Sequence, residues 1–96
     1  MTVYAVAQIS IHDRVRYDRY ASRFMAVLDR YDGTLLAAHE HPEVVEGEWR
    51  YDKIIVMSFA DRAAFQRWSG SPEYREISQD RLAATDGVIL VVKGLS

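Results

Sequence analysis

The chain has 96 residues and a mass of 11.0 kDa, 49% hydrophobic and 27% charged, which suits one folded domain over residues 1–96 and leaves no room for a second. Twelve Lys and Arg against fourteen Asp and Glu leave a net charge of -2, so neither the basic footprint of a nucleic-acid binder nor a polybasic membrane patch is present. There is no Cys, which excludes disulfide scaffolds, thiolate metal sites and cysteine nucleophiles.

From Val3 to Ile11 apolar residues alternate: Val3, Ala5, Ala7, Ile9 and Ile11 on one face, Tyr4, Val6 and Gln8 on the other, the pattern of a strand. Asp13 offers a helix N-cap, and Tyr17, Tyr20, Phe24, Val27, Leu28 and Tyr31 follow at three- and four-residue spacing, which predicts an amphipathic helix. The helix is expected to stop at Asp32-Gly33, with Gly33 in the left-handed position. Thr34 to Ala38 begins a second strand, with a possible continuation from Pro42 to Val45, and Glu46 to Arg50 reads as a turn. Lys53 to Ala60 is a third strand, apolar at nearly every position. Asp61 caps a short helix carrying Ala64, Phe65 and Trp68; Ser71-Pro72-Glu73 restarts helix with a cap, a proline at the first position and an acid in the first turn. Asp86-Gly87 is expected to turn the chain into a last strand, Val88 to Lys93.

The order is strand, helix, strand, strand, helix in two pieces, strand. Right-handed crossovers place the helices on one side of a four-stranded, largely antiparallel sheet, an α+β, ferredoxin-like βαββαβ arrangement. Both strand faces are apolar: Ile54 and Val56 alternate with Ile55, Met57 and Phe59, and Val88, Leu90 and Val92 with Ile89 and Val91. A face left bare by the helices would be a larger apolar patch than soluble monomers carry, so a homodimer joined through that face is expected. Nothing approaches the roughly 18 consecutive apolar residues of a membrane span, and the N-terminus shows no secretory pattern, so the expected location is cytoplasmic.

The run Val44-Val45-Glu46-Gly47-Glu48-Trp49, then Phe59, Trp68, Ser71-Pro72-Glu73-Tyr74, Arg81-Leu82-Ala83 and Gly94, resembles the bacterial domain of unknown function 1330 family over essentially the whole chain. Ser-Pro-Glu-Tyr followed seven residues later by Arg is the most specific part. The resemblance implies the dimeric α+β barrel superfamily, whose members dimerise through their sheets. They include cofactor-free quinone-forming monooxygenases, muconolactone isomerases, haem-degrading enzymes, chlorite dismutases and ligand-sensing domains, so the fold alone does not fix a function. One departure stands out. Ser58-Phe59-Ala60 replaces the family's acid followed by Phe-Pro, so any role of that carboxylate is lost or moved.

Arg81 shares a helix face with Tyr74, Ile77 and Leu82, where a guanidinium needs a partner. Either it recognises the anionic group of a small ligand, or it forms a structural ion pair with Glu46 or Asp80, or its stem is buried and its head wet. His39 and His41, two apart on a strand, would share a face; they read as a solvent-facing strand end, as a proton-handling His39, or as a weak metal pair completed by Glu46 or His12. Neither a metal nor another cofactor is expected. The aromatics, Trp49 and Trp68 among them, suit a core or an aromatic ligand, and Glu46 beside Trp49 is either a surface carboxylate or an acid of raised pKa. The expected site therefore combines His39 or Tyr74 for a proton with Arg81, Trp68, Glu46 and Trp49 for the ligand. Two functions remain open: a cofactor-free isomerase or monooxygenase acting on a small anionic or aromatic substrate, and a non-catalytic dimeric ligand-binding module. A His, Tyr or Glu beside Arg81 in an enclosed pocket favours the first; Arg81 alone favours the second.

Overall fold

The computed structural model describes residues 1–95. The elements are β1 (Val3–Ile11), α1 (Arg14–Arg30), β2 (Thr34–His39), β3 (Lys53–Phe59), α2 (Arg62–Ser69), α3 (Pro72–Ala84) and β4 (Thr85–Lys93). The strands form one antiparallel sheet in the order β2-β3-β1-β4. Each helix begins where a short polar side chain meets an orphan amide. Asp13 accepts the Arg16 N–H at 3.1 Å, Asp61 the Ala64 N–H at 2.7 Å, and Ser71 the Tyr74 N–H at 3.1 Å.

The core lies between the helices and one sheet face. Val3, Ala5, Ala7 and Ile9 of β1 and Ile55, Met57 and Phe59 of β3 are buried beneath Tyr17, Tyr20, Phe24 and Leu28 of α1, Trp68 of α2, and Tyr74 and Ile77 of α3. The registers Val6↔Val56, Val6↔Leu90 and Tyr4↔Val92 gather the alternate residues on the opposite face. There Val88, Leu90 and Val92 are 40%, 50% and 48% exposed, a row of branched apolar side chains in water.

Four local expectations are corrected. At the end of α1 it is Asp32, not Gly33, that takes the left-handed conformation, with φ 60°. Aspartate tolerates that region, and Gly33 is needed instead for room, because a Cβ there would collide with Leu28 and lie 2.7 Å from Phe59 Cε1. Residues 40–52 form no strand. Pro42 has no N–H to lend to a ladder, and the segment is tethered by side chains, with Trp49 Nε1 donating to Gln8 Oε1 at 2.8 Å and the Ile11 N–H donating to Asp52 at 2.8 Å. β3 ends at Phe59 rather than Ala60. Finally, Asp86-Gly87 is not a turn. Thr85 is already extended (φ -137°, ψ 156°), and α3 passes straight into β4.

Gly87 pairs with Ile9, and a Cβ at this position would run into the Gln8 carbonyl oxygen and lie 2.8 Å from Ile9 Cα. The contact is backbone on both sides, so no side-chain rotation relieves it. Gly87→Ala is therefore expected to lower the free energy of unfolding by about 1–3 kcal/mol, the scale of overpacking in a close-packed interior. A urea titration checks this; an unchanged midpoint would show that β1 and β4 have slack.

Candidate functional site

A cavity of about 200 Å³ lies between the covered sheet face and the helices. Its floor includes Ala7, Ile9, Ile55 and Met57; α1 adds Tyr20 and Phe24, α2 adds Trp68, and α3 adds Tyr74, Ser78 and Arg81. Ala7 at the middle of β1 helps to create the space, since a larger residue at this inward position would fill it.

The α2–α3 junction aligns the aromatic wall. The Ser71 hydroxyl donates to the Trp68 carbonyl at 2.8 Å while accepting the Tyr74 N–H, and the Trp68 and Tyr74 ring centroids lie 4.0 Å apart. The Tyr20 and Tyr74 hydroxyls are 2.8 Å apart, both buried, which joins α1 to α3 across the cavity. Burial, with the neighbouring Tyr74 phenol, pushes the Tyr20 hydroxyl well above the ordinary tyrosine range, and the Arg81 charge offsets only part of this. Tyr20 is thus a proton holder, not a base.

Two donors on this lining have no acceptor. Trp68 Nε1 and Arg81 Nε are buried with no hydrogen-bond partner among the described residues. Asp80, one of the two carboxylates expected to pair with Arg81, accepts from Arg16 Nε at 3.0 Å and from Arg19 at 3.3 Å. Glu46, the other, is exposed on the 40–52 segment.

The expected site residues fall into two groups. Trp68, Tyr74 and Arg81 line one cavity, whereas His39, Glu46 and Trp49 are not brought to it. His39 is displaced by a β-bulge. Leu35 pairs with Met57, but the register shifts before Ala37, which pairs with Val56, and His39 then pairs with Ile54. The extra residue reverses the alternation and sends His39 to the sheet face away from the helices. Trp49 and Glu46 border the same end of that face, beside Gln8 and Ile54. His41 leaves the strand altogether and sits by Arg14 and Glu40, paired at 2.6 Å, where the guanidinium holds the Glu40 carboxyl below its usual range. His12 lies 3.4 Å from Asp86. Among the described residues no three His, Asp or Glu side chains converge on a common point where a metal ion would sit.

Tyr20 reads from the sequence as core or as one of several aromatics suited to a pocket, and what the sequence does not show is its hydroxyl contact with Tyr74. The signal for that contact is the position of Tyr20 between Tyr17 and Phe24 on the buried stripe of α1, where a phenol requires a hydroxyl partner. A second, smaller recess of about 130 Å³ lies near Tyr17 and Lys53 and shares Tyr20, Phe24 and Ile55 with the cavity, but neither unpaired donor lines it.

The architecture is a ferredoxin-like fold. The chain belongs to the DUF1330 family, a domain of unknown function, whose pattern matches residues 2–95. Among solved structures, it is similar to a protein of unknown function from Rhodopseudomonas palustris, at 18% identity and TM-score 0.84 over 99% of this chain and 83% of that one. It is also similar to SnoaB, a cofactor-independent oxygenase from Streptomyces nogalater (14% identity, TM-score 0.73, 99% of this chain and 94% of that one). A dimeric ferredoxin-like protein of unknown function from Jannaschia sp. CCS1 matches at 22% identity and TM-score 0.66, over 96% of each chain. At these identities the likeness is one of fold. No curated protein is recognisably similar in sequence.

The raised Tyr20 pKa has a measurable sign. Below about pH 10 the phenol is neutral in both folded and unfolded chains and adds no pH dependence; above it the unfolded chain releases a proton that the folded chain retains, so stability falls as pH rises. Tyr20→Phe is expected to flatten part of this alkaline loss while costing about 1–3 kcal/mol at neutral pH for the stranded Tyr74 hydroxyl. Urea midpoints measured from neutral pH into the alkaline range test both effects; an alkaline limb identical to that of the parent protein would remove Tyr20 as its source.

Proposed function

We propose that the protein is a homodimer that handles a small anionic or aromatic molecule in the cavity of Trp68, Tyr74 and Arg81. The observation that carries this reading is the pair of unanswered donors, Arg81 Nε and Trp68 Nε1. An unpaired buried donor costs about 1–3 kcal/mol, and more where it is charged, so a ligand oxygen that accepts from them recovers energy the empty protein forgoes. Aromatic walls suit a flat ligand. The reaction class this arrangement serves is cofactor-free isomerisation or oxygenation, with Arg81 holding negative charge on the substrate and Tyr74, backed by Tyr20, handling a proton. The fold relative that is a cofactor-independent oxygenase is consistent with that class. A specific observation favours the other reading, a non-catalytic ligand-binding module: the acid–base side chains on the lining are two phenols and a guanidinium, with no carboxylate or imidazole among them.

The second copy covers the bare sheet face. Val88, Leu90 and Val92 with Val6 and Val56 form the contact surface, and an obligate interface of this kind buries about 2,000 Å² or more in total. Sedimentation at micromolar concentration is expected to give twice the 11.0 kDa chain mass, and Leu90→Asp to shift the population towards the monomer. A stable 11.0 kDa species in the parent protein would refute the dimer.

Arg81→Met keeps the apolar volume of the stem and leaves no buried carboxylate stranded, so the melting temperature is expected to change little. Affinity for a bound carboxylate or phenolate is expected to fall by about 2–4 kcal/mol, or about 30- to 1,000-fold. A thermal melt beside a calorimetric titration with benzoate and 4-nitrophenol reads both quantities. A variant that unfolds early yet binds as before would assign Arg81 to the scaffold.

A further inference from the structure

We infer that the cavity takes a single-ring oxyanion, in which the ligand supplies its own ionisation and the protein supplies only hydrogen-bond donors. This rests on the reading that the cavity is a small-molecule site, and it adds the ligand's charge, its protonation state and its size.

The polar inventory of the lining carries the charge. Arg has five N–H donors and no acceptor, and the indole of Trp is a donor only. The two groups left unpaired, Arg81 Nε and Trp68 Nε1, are therefore both donors, and one belongs to a cation. Tyr20 and Tyr74 share one hydrogen bond between their hydroxyls, which still leaves one phenolic proton in the pair to give. Ser78 already donates to the Arg75 carbonyl at 3.0 Å. A neutral amide or alcohol would bring a donor of its own into a site already rich in donors. An oxyanion brings acceptors alone and meets the guanidinium with opposite charge, in surroundings apolar enough to strengthen the attraction.

No lining side chain is suited to remove the ligand's proton. The carboxylates nearest in sequence to Arg81 and Tyr74 are engaged away from the cavity: Asp80 by Arg16 and Arg19, and Glu73 by Tyr31 at 2.7 Å and Arg30 at 3.3 Å. His39 is on the other sheet face. The ligand must therefore arrive ionised, or be acidic enough to lose its proton to water once Arg81 stabilises the anion. The same attraction then lowers the ligand's pKa in the complex.

Volume sets the size. An apolar cavity of about 150 Å³ holds a benzene molecule, so about 200 Å³ accepts one substituted ring and excludes three fused rings.

4-Nitrophenol, which absorbs visible light only when ionised, tests this directly, with its neutral methyl ether 4-nitroanisole, benzoate and a hydroxyanthracene as comparators. With protein in excess, the dye is expected to ionise at a pH at least one unit lower than in buffer. Benzoate is expected to compete with it, 4-nitroanisole to bind at least tenfold more weakly than the nitrophenolate, and the hydroxyanthracene not to bind. In Arg81→Met the pKa shift is expected to vanish while the methyl ether binds as before. If the ether binds as tightly as the anion, or the dye's pKa stays put or rises, the oxyanion inference falls while small-molecule binding stands. Tight binding of the hydroxyanthracene overturns the size limit. If none of the four ligands binds, both this inference and the underlying reading of the cavity fail. The parent protein's dye titration decides the charge question even if the variant does not fold.

Discussion

One buried hydroxyl sets the geometry on which the cavity depends. Ser71 Oγ donates to the Trp68 carbonyl and accepts the Tyr74 N–H, so a single oxygen closes α2 and opens α3. It fixes the two helices at an angle that brings the Trp68 and Tyr74 rings to 4.0 Å, and from Tyr74 the hydroxyl contact reaches Tyr20 on α1. Pro72 stiffens the first turn at a position where its missing N–H costs nothing. Seven residues beyond Tyr74 is close to two helical turns, which returns Arg81 to the face that carries Tyr74. The Ser-Pro-Glu-Tyr and Arg pattern is thus a physical unit: a junction, a stacked aromatic pair and a cation placed at the same cavity.

The charges around α3 are sorted so that Arg81 is left over. Glu73 near the start of the helix binds Tyr31 and Arg30 at the end of α1, and Asp80 near its finish binds Arg16 and Arg19 close to the start of α1. The two helices run antiparallel, clamped at both ends. Such pairs at a wet surface contribute little stability individually. Their effect on the cavity is one of allocation, since each holds its carboxylate against α1 and away from Arg81. Between the clamps Tyr74, Ile77 and Ser78 turn inward, Arg81 follows just past the second, and of these four only the guanidinium carries a charge.

What could be read along the chain was whatever depends on periodicity and on local caps. The alternation of β1, β3 and β4 separated the two sheet faces correctly, and Asp13, Asp61 and Ser71 marked helix starts that the structure keeps. Arg81, Tyr74 and Trp68 were visible because a charge and two aromatics stood at helical spacing around a recognisable junction. The failures are those that a one-dimensional pattern cannot encode. The bulge in β2 inserts a residue without any glycine or proline to mark it, and that residue moved His39 to the wrong face for Arg81. Gly87 looked like a turn because Asp-Gly often is one, but its purpose is close approach to the backbone of β1, a contact across 78 positions of sequence. The sequence leaves Tyr20 open between core and pocket, because its hydroxyl partner lies 54 positions away.

The two sheet faces divide the work, and the division limits the chemistry. The outer face is apolar along β4 and at its centre, where Val88, Leu90 and Val92 stand beside Val6 and Val56, and its polar side chains, Gln8, His39 and Ser58, lie towards the strand ends. The inner face is buried under aromatics, and its polar atoms are sparse and mostly donors. A site of donors stabilises negative charge, but its lining holds no carboxylate or imidazole to act as a base, and the Tyr20 phenol resists ionisation. On the function proposed above, the electron pair enters with the ligand. That constraint holds for either fate of the ligand. A module that only binds needs the anion for affinity, and an enzyme needs the same anion as its nucleophile or electron source, with Tyr74 and Tyr20 returning a proton afterwards. The fold does not separate the two, since similar folds include both a cofactor-independent oxygenase and a protein of unknown function.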